Sequence, residues 1–244
     1  MSSQKPAKNK IHVLEPGLGH HPFLSGGGEM GRLIRDHDWS ATPVGHPDTW
    51  PQSLRTTVRL MLNTNHPIFV FWGEPLTCFY NDAYRATLGP ERHPQSLGAS
   101  GREVWAEIWD IIEPEIDQVM SGRGATWNEH KLIPITRHGK VDNIWWTYSY
   151  SPIDDESSPN GIGGVLVICT DVTAQHTATE ALKDERERLM GLFEQAPGFI
   201  AVGYGEQHVF QIANKAYRQL VGGRDLVGLS VRDALPELEG QGFY

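Results

Sequence analysis

The sequence predicts an α+β fold, present once in full and a second time in part. Residues 81–89, Asn-Asp-Ala-Tyr-Arg-Ala-Thr-Leu-Gly, return at 214–222 as Asn-Lys-Ala-Tyr-Arg-Gln-Leu-Val-Gly. The echo extends both ways. Pro67 to Gly73 is answered by Pro197 to Gly203, and Arg102 to Ile108 by Arg232 to Leu238. Internal repetition of this kind fixes the number of copies of a domain. The order of elements supplies the class: two strands, several helices, then three strands, which places helices inside an antiparallel sheet rather than between parallel strands.

The elements follow from local chemistry. Met1 to Gly28 is rich in Ser, Lys, Pro and Gly and is expected to be a flexible arm. Its adjacent His20 and His21 read as solvated imidazoles, and no metal-ligand set is expected anywhere in the chain. Glu29 to Trp39 carries Met30, Leu33, Ile34 and His37 at helical spacing, and Trp50 to Asn63 carries Leu54, Val58, Met61 and Leu62 on one face, with Asp48 as an N-cap. These two helices make an N-terminal cap over 29–66. Ile68 to Trp72 and Leu76 to Tyr80 form a hairpin turned by Gly73-Glu74-Pro75. Asn81 stands at a helix N-cap, able to accept from the amide of Ala83 or Tyr84, and Gly89-Pro90 ends that helix. Arg102 to Trp109 and Ile111 to Met120 read as helices. Three extended segments follow, Thr126 to Thr136, Asn143 to Ser151 and Gly164 to Thr170. From Ala174 to about Gln195 one helix steps through Ala178, Leu182, Glu185, Leu189 and Leu192, a heptad seam on an otherwise charged surface, suited to a partner helix and so to a homodimer.

Composition excludes several classes. The 244 residues carry 21 Lys and Arg against 30 Asp and Glu, a net charge of −9 without a basic cluster, which argues against nucleic acid as a partner. No apolar run is long enough for a membrane span, and no secretion signal opens the chain. Two cysteines, Cys78 and Cys169, do not make a disulfide framework. A cytoplasmic protein is expected. No His-Glu-x-x-His, Cys-x-x-Cys, Gly-x-Ser-x-Gly or phosphate loop occurs, so no catalytic residue is assigned. Glu103, Glu107, Asp110 and Glu113 read as a solvated acidic face, and His176 as a surface residue.

The Asn-x-Ala-Tyr element after a hairpin, the Ser-Pro-Ile-Asp-Asp…Gly turn and the closing Asp-Val-Thr resemble the PAS sensor domain, over about 67–173 and again from 197. With its leading Gly-Glu-Met-Gly…Trp-Pro-Gln-Ser-Leu-Arg helices, the first copy resembles the N-terminal PAS region of bacterial multi-PAS sensor histidine kinases. The resemblance implies a five-stranded antiparallel sheet with helices over one face, a linker helix at 174–196, and an incomplete second PAS domain at 197–244 that has no counterpart of Glu115 to Thr173. On this resemblance the chain is expected to be a piece of a longer protein: the sensory input region of a two-component histidine kinase, acting on a response regulator through the parent protein. Input to a cyclic-nucleotide enzyme and a ligand-free dimerisation module remain open beside it. Asp171 and Thr173 match the residues that join sheet to signalling helix.

Alternation puts Trp146, Tyr148 and Tyr150 on one face of their strand. By the same resemblance that face looks into a pocket, together with Phe69, Phe71, Tyr80, Tyr84, Trp105, Trp109 and Cys169. These rings either fill the core or line a site for a small aromatic or apolar ligand. A LOV-type flavin is disfavoured, since Cys78 and Cys169 fall in strands and the Asn-Cys-Arg-Phe motif is absent. Haem is disfavoured because the helix from Ile108 to Met120 has no His, the nearest being His93 and His130.

Overall fold

The computed structural model describes residues 21–239. Residues 1–20 of the arm expected over 1–28, with His20, and the last residues, 240–244, lie outside the described residues. The chain divides into two compact units, one ending at Ala174 and one beginning at Gln175.

In the first unit residues 22–28, expected within the arm, take part in the fold. Residues 22–24 form a 3-10 turn with Leu24 buried, and Arg35 donates to the carbonyls of Leu24 (2.7 Å) and Gly26 (3.1 Å). Helix α1 (Gly28–Asp36) follows at once. Its opening amides at Glu29 and Met30 are capped by the Asp82 carboxylate at 3.1 and 2.8 Å. A Cβ on Gly28 would lie 2.0 Å from that carboxylate, at a φ of +53°. Helix α2 (Gln52–Leu62) starts after Pro51, so Asp48 is not its cap; Asp48 sits in a separate 3-10 turn, 47–49.

The sheet contains β1 (Ile68–Trp72), β2 (Thr77–Tyr80), β3 (Thr126–Arg137), β4 (Lys140–Asp154) and β5 (Ile162–Asp171). Its spatial order is β2-β1-β5-β4-β3, with every neighbour antiparallel. Between the second and third strands run α3 (Asp82–Leu88), α4 (Gly101–Val104) and α5 (Trp109–Met120). The helix expected over 102–109 is broken into α4 and a 3-10 turn at 106–108, and Pro114 lies within α5 rather than near its start. Helix α5 packs on β3, β4 and β5, and α3 on β1.

Both faces of β1 and β2 are buried at every position. One face, with Phe69, Phe71 and Tyr80, meets the helices α3 to α5. The other is covered by the N-terminal cap, where Trp39 stacks on Phe79 at 4.5 Å and Trp50 meets the same ring edge-on at 5.5 Å. The continuous apolar run Ile-Phe-Val-Phe-Trp thus reflects burial on two sides.

Asn81 is 2% exposed and joins three elements. Its Oδ1 accepts from the amides of Tyr84 (3.0 Å) and Ile68 (3.1 Å). Its Nδ2 donates to the carbonyls of Met61, Thr64 and His66 at 3.2, 3.0 and 2.7 Å.

The second unit repeats this beginning. Strands β6 (Ala201–Tyr204) and β7 (Val209–Ala213) pair as a hairpin, followed by α7 (Lys215–Leu220) and α8 (Val231–Ala234). Asn214 accepts from the amides of Tyr217 (2.9 Å) and Ile200 (3.1 Å) and donates to Gly198 (2.7 Å). Phe210, Ala213, Leu226, Ala234 and Leu235 form its small core.

Replacing Asn81 by Ala removes the side-chain partner of two amides and three carbonyls, of which the Tyr84 amide and the Met61 carbonyl keep a backbone bond. Asn81→Ala is expected to lower stability by about 3 kcal/mol or more, and Asn81→Asp, which keeps the acceptor but loses the donor, to lower it as well. Urea denaturation followed by tryptophan fluorescence measures both; a loss within experimental error for either variant contradicts this role.

Candidate functional site

Between α3, α5 and the sheet lies a cavity of about 40 Å³. The sheet contributes Phe71 from β1, Ile133 and Ile135 from β3, Trp146, Tyr148 and Tyr150 from β4, and Val167 and Cys169 from β5. The helical side contributes Tyr84, Thr87, Trp105, Ile108 and Ile112. The strand register explains the convergence. Tyr148 pairs with Cys169 and Tyr150 with Val167, so their side chains share a face.

The volume limits what fits. A water needs about 10–15 Å³ measured this way, and a cavity of roughly 150 Å³ is needed for benzene. The space therefore accepts two or three heavy atoms unless its walls move.

Two of the lining residues, Trp146 and Tyr148, carry polar groups. The indole N–H of Trp146 is buried and has no protein acceptor among the described residues. The Tyr148 hydroxyl instead donates to Glu115 at 2.8 Å. Glu115, on α5, is only 14% exposed and also accepts from Thr126 (2.8 Å), Asn128 (2.7 Å) and Lys131 (2.8 Å), fastening α5 to β3 and β4. Burial pushes its carboxyl pKa up. The hydrogen bonds from Lys131, Tyr148 and Thr126 outweigh burial and hold the pKa below the usual carboxylate value. Burial, reinforced by Asp171, pushes the Cys169 thiol up to about 12, so it remains a protonated packing group at neutral pH.

The sheet leaves this site through a short junction. Trp146 pairs in register with Asp171, the last residue of β5. Asp171 Oδ1 accepts from the Thr173 amide (3.0 Å), capping α6 (Thr173–Gln195), and Thr173 Oγ1 accepts from the Trp145 amide (2.9 Å). The Val172 amide donates to the Trp145 carbonyl at 2.8 Å. Arg137 reaches Asp142 at 3.4 Å and Asp171 at 3.9 Å.

Residues 63–177 match the family model described as the PAS fold. They form a PAS domain.

Among solved structures, the PAS domain of BvgS from Bordetella pertussis is similar at 21% identity, covering 57% of this chain and 99% of that one, with a TM-score of 0.40. A PAS domain from Colwellia psychrerythraea is similar at 18% identity, covering 50% and 98%, with a TM-score of 0.37. A sensory box sensor histidine kinase from Vibrio cholerae is similar at 15% identity, covering 50% and 94%, with a TM-score of 0.36. No curated protein matches. Among the described residues no helix is long and apolar enough to cross a membrane.

Of the residues expected at the PAS pocket, Phe71, Tyr84, Trp105, Trp146, Tyr148, Tyr150 and Cys169 line the cavity. Phe69, Tyr80 and Trp109 are buried but do not line it. Phe69 stacks on Tyr80 at 5.9 Å, the Tyr80 hydroxyl lies 3.0 Å from His93 Nδ1, and Trp109 lies under the Arg102 guanidinium at 4.8 Å. Thr87, Ile108, Ile112, Ile133, Ile135 and Val167 complete the lining and were not anticipated. A bulge between Asn128 and Lys131 explains the two on β3: it resets the alternation, turning Ile133 and Ile135 inward and leaving Leu132 outside. His93 and His130 are absent from the cavity lining. The acidic face is not simply solvated, since Glu107 pairs with Arg92 and Glu113 with Arg102.

Because the pKa of Glu115 is lowered by folding, the stability it contributes is present above the ordinary carboxylate pKa and is lost as pH falls through its folded value. At pH 7, Glu115→Gln is expected to be less stable than wild type by about 1–3 kcal/mol. That gap should narrow once the pH falls below about 4. Urea melts across this range measure it; a gap that widens on acidification reverses the assignment.

Proposed function

We propose that this chain is the cytoplasmic sensory input region of a bacterial signal-transduction protein, of the two-component histidine-kinase type, with its PAS domain sensing a small ligand. The observation that carries ligand sensing is the aromatic-lined cavity bounded by Trp146, a residue whose buried indole N–H has no acceptor among the described residues. A buried donor without an acceptor costs free energy, and a ligand bearing an acceptor removes that cost. Burial beside aromatic walls favours a small, otherwise apolar molecule. Asp171 and Thr173 then carry the change, since they connect the Trp145–Trp146 segment of β4 to the start of α6.

Output through α6 rests on its surface. No residue of the helix is buried, and Leu182, Leu189 and Leu192 are 72%, 53% and 60% exposed. With Ala178 and Glu185 they form the seam proposed for homodimerisation. The Glu185 carboxylate is not bare: Arg188 donates to both its oxygens at 2.8 Å and holds its pKa low. A parallel partner therefore faces an ion pair at this level of the seam.

The small cavity favours a second reading, a ligand-free dimerisation module with a filled core. Mass spectrometry of molecules retained by the purified chain, with a binding screen of small apolar acceptors, separates the two. Under ligand sensing, Trp146→Phe keeps the ring but lowers affinity, and Trp146→Ala costs less than the roughly 3–5 kcal/mol of a packed aromatic. No retained or screened ligand, together with the full cost for Trp146→Ala, selects the filled core.

Sedimentation of the whole chain tests the seam. Glu185→Leu is expected to tighten self-association and Leu189→Glu to weaken it. If neither moves the dimerisation constant, α6 is a solvated spacer.

A further inference from the structure

Far from this cavity, the N-terminal cap brings together three groups that the sequence keeps apart. His21 opens the 3-10 turn at 22–24, while His46 and Asp48 belong to the turn at 47–49. Their donor atoms all lie within 4.8 Å of one another. His21 Nδ1 is 3.6 Å from one Asp48 oxygen and His46 Nδ1 is 3.2 Å from the other.

We propose that His21, His46 and Asp48 bind a divalent transition-metal ion, zinc being the best match to the donors. Two imidazoles and a carboxylate are borderline ligands that suit zinc, nickel or copper and discriminate against magnesium and calcium. A tetrahedral zinc ion with bonds of about 2.0–2.1 Å spaces its donors about 3.3 Å apart. The two nitrogen–oxygen distances, 3.6 Å to one Asp48 oxygen and 3.2 Å to the other, lie near that value, and the set as a whole, spread over up to 4.8 Å, contracts onto the ion.

His46 Nδ1 accepts from the Asp48 amide at 3.3 Å, a long hydrogen bond that an ion on that nitrogen replaces.

The turns that carry the ligands are fixed from below. Leu24 and Trp50 are buried, Phe23 packs on Trp50 at 5.8 Å, and Arg55 donates to the Asp48 carbonyl at 2.5 Å. His21 and His46 also line an open groove of about 470 Å³ together with Asp36, His37 and Asp38. That groove leaves room for the water that completes a three-ligand zinc site. Binding would tie the 22–24 turn to the 47–49 turn across the cap.

The test uses the untagged full-length chain, stripped with a chelator and titrated with zinc chloride by calorimetry, with magnesium chloride as comparison. One zinc per chain is expected, with no magnesium heat. Zinc should raise the melting temperature of wild type. His46→Ala and Asp48→Asn should each weaken zinc binding about tenfold or more and abolish the thermal shift, while His138→Ala on the β3–β4 turn changes neither. His46 and Asp48 are exposed, so metal-free melting temperatures should match wild type and show that each variant folds. Absence of zinc binding, equal binding of magnesium, or unchanged zinc affinity in His46→Ala overturns the proposal. So does loss in His20→Ala with retention in His46→Ala, which would assign binding to the adjacent histidine pair.

Discussion

The fold of the first unit depends on one buried amide. Asn81 must accept from two backbone amides and donate to three backbone carbonyls at the place where α2 ends, β1 begins and α3 begins. Only a side chain with both a carbonyl and an NH₂ can do this. Aspartate offers no donor, and serine has a single O–H where the site requires the two N–H groups of an amide. These backbone groups lie at the ends of α2, β1 and α3, where the regular ladders run out, and the side chain supplements the few backbone bonds left there, such as Tyr84 N–H to the Asn81 carbonyl. Asn214 does the same work in the second unit, reaching Ile200, Tyr217 and Gly198. The repeated asparagine is thus a repeated solution to one backbone problem.

That part of the architecture was legible because its causes are local. An N-cap is a relation between residues two or three apart, and it identified Asn81 with Ala83 or Tyr84 as partner, of which the structure shows Tyr84. Alternation is a relation between residues two apart, and it placed Trp146, Tyr148 and Tyr150 on a common face. The donor half of Asn81 was not legible, since Met61, Thr64 and His66 reach it only through the tertiary fold.

The same distinction sorts the cavity residues. Phe69 and Phe71 have the same parity on β1, so alternation cannot say which lines the space. Position along the strand decides: Phe69 stacks on Tyr80, and Phe71 reaches the cavity. Ile133 and Ile135 were hidden by a bulge that no turn residue announces. Glu115 was hidden because its partners come from β3 and β4, up to 33 positions further along the chain. His21 and His46 are likewise joined only by the packing of two short turns over Trp50. What sequence spacing misses is tertiary pairing of polar groups, which is where the chemistry of a site resides.

The strand β4 links the cavity to the helix that leaves the sheet. The Trp146 side chain faces the cavity, while the backbone of its neighbour Trp145 holds the Val172 amide and the Thr173 hydroxyl. A planar peptide joins the two residues. Any displacement of the Trp146 Cα therefore tilts the peptide that presents the Trp145 carbonyl, and with it a hydrogen bond at the start of α6. Tyr148, two residues on, makes the opposing attachment through Glu115 to α5. Under the proposed sensing role, a group entering the cavity against Trp146 pushes a strand that is held by the Glu115 carboxylate on one side and is hydrogen-bonded on the other to the start of α6, which follows β5. With Glu115 holding the Tyr148 end, that proposed role has the displacement reach Asp171 and Thr173, which bond the same segment of β4.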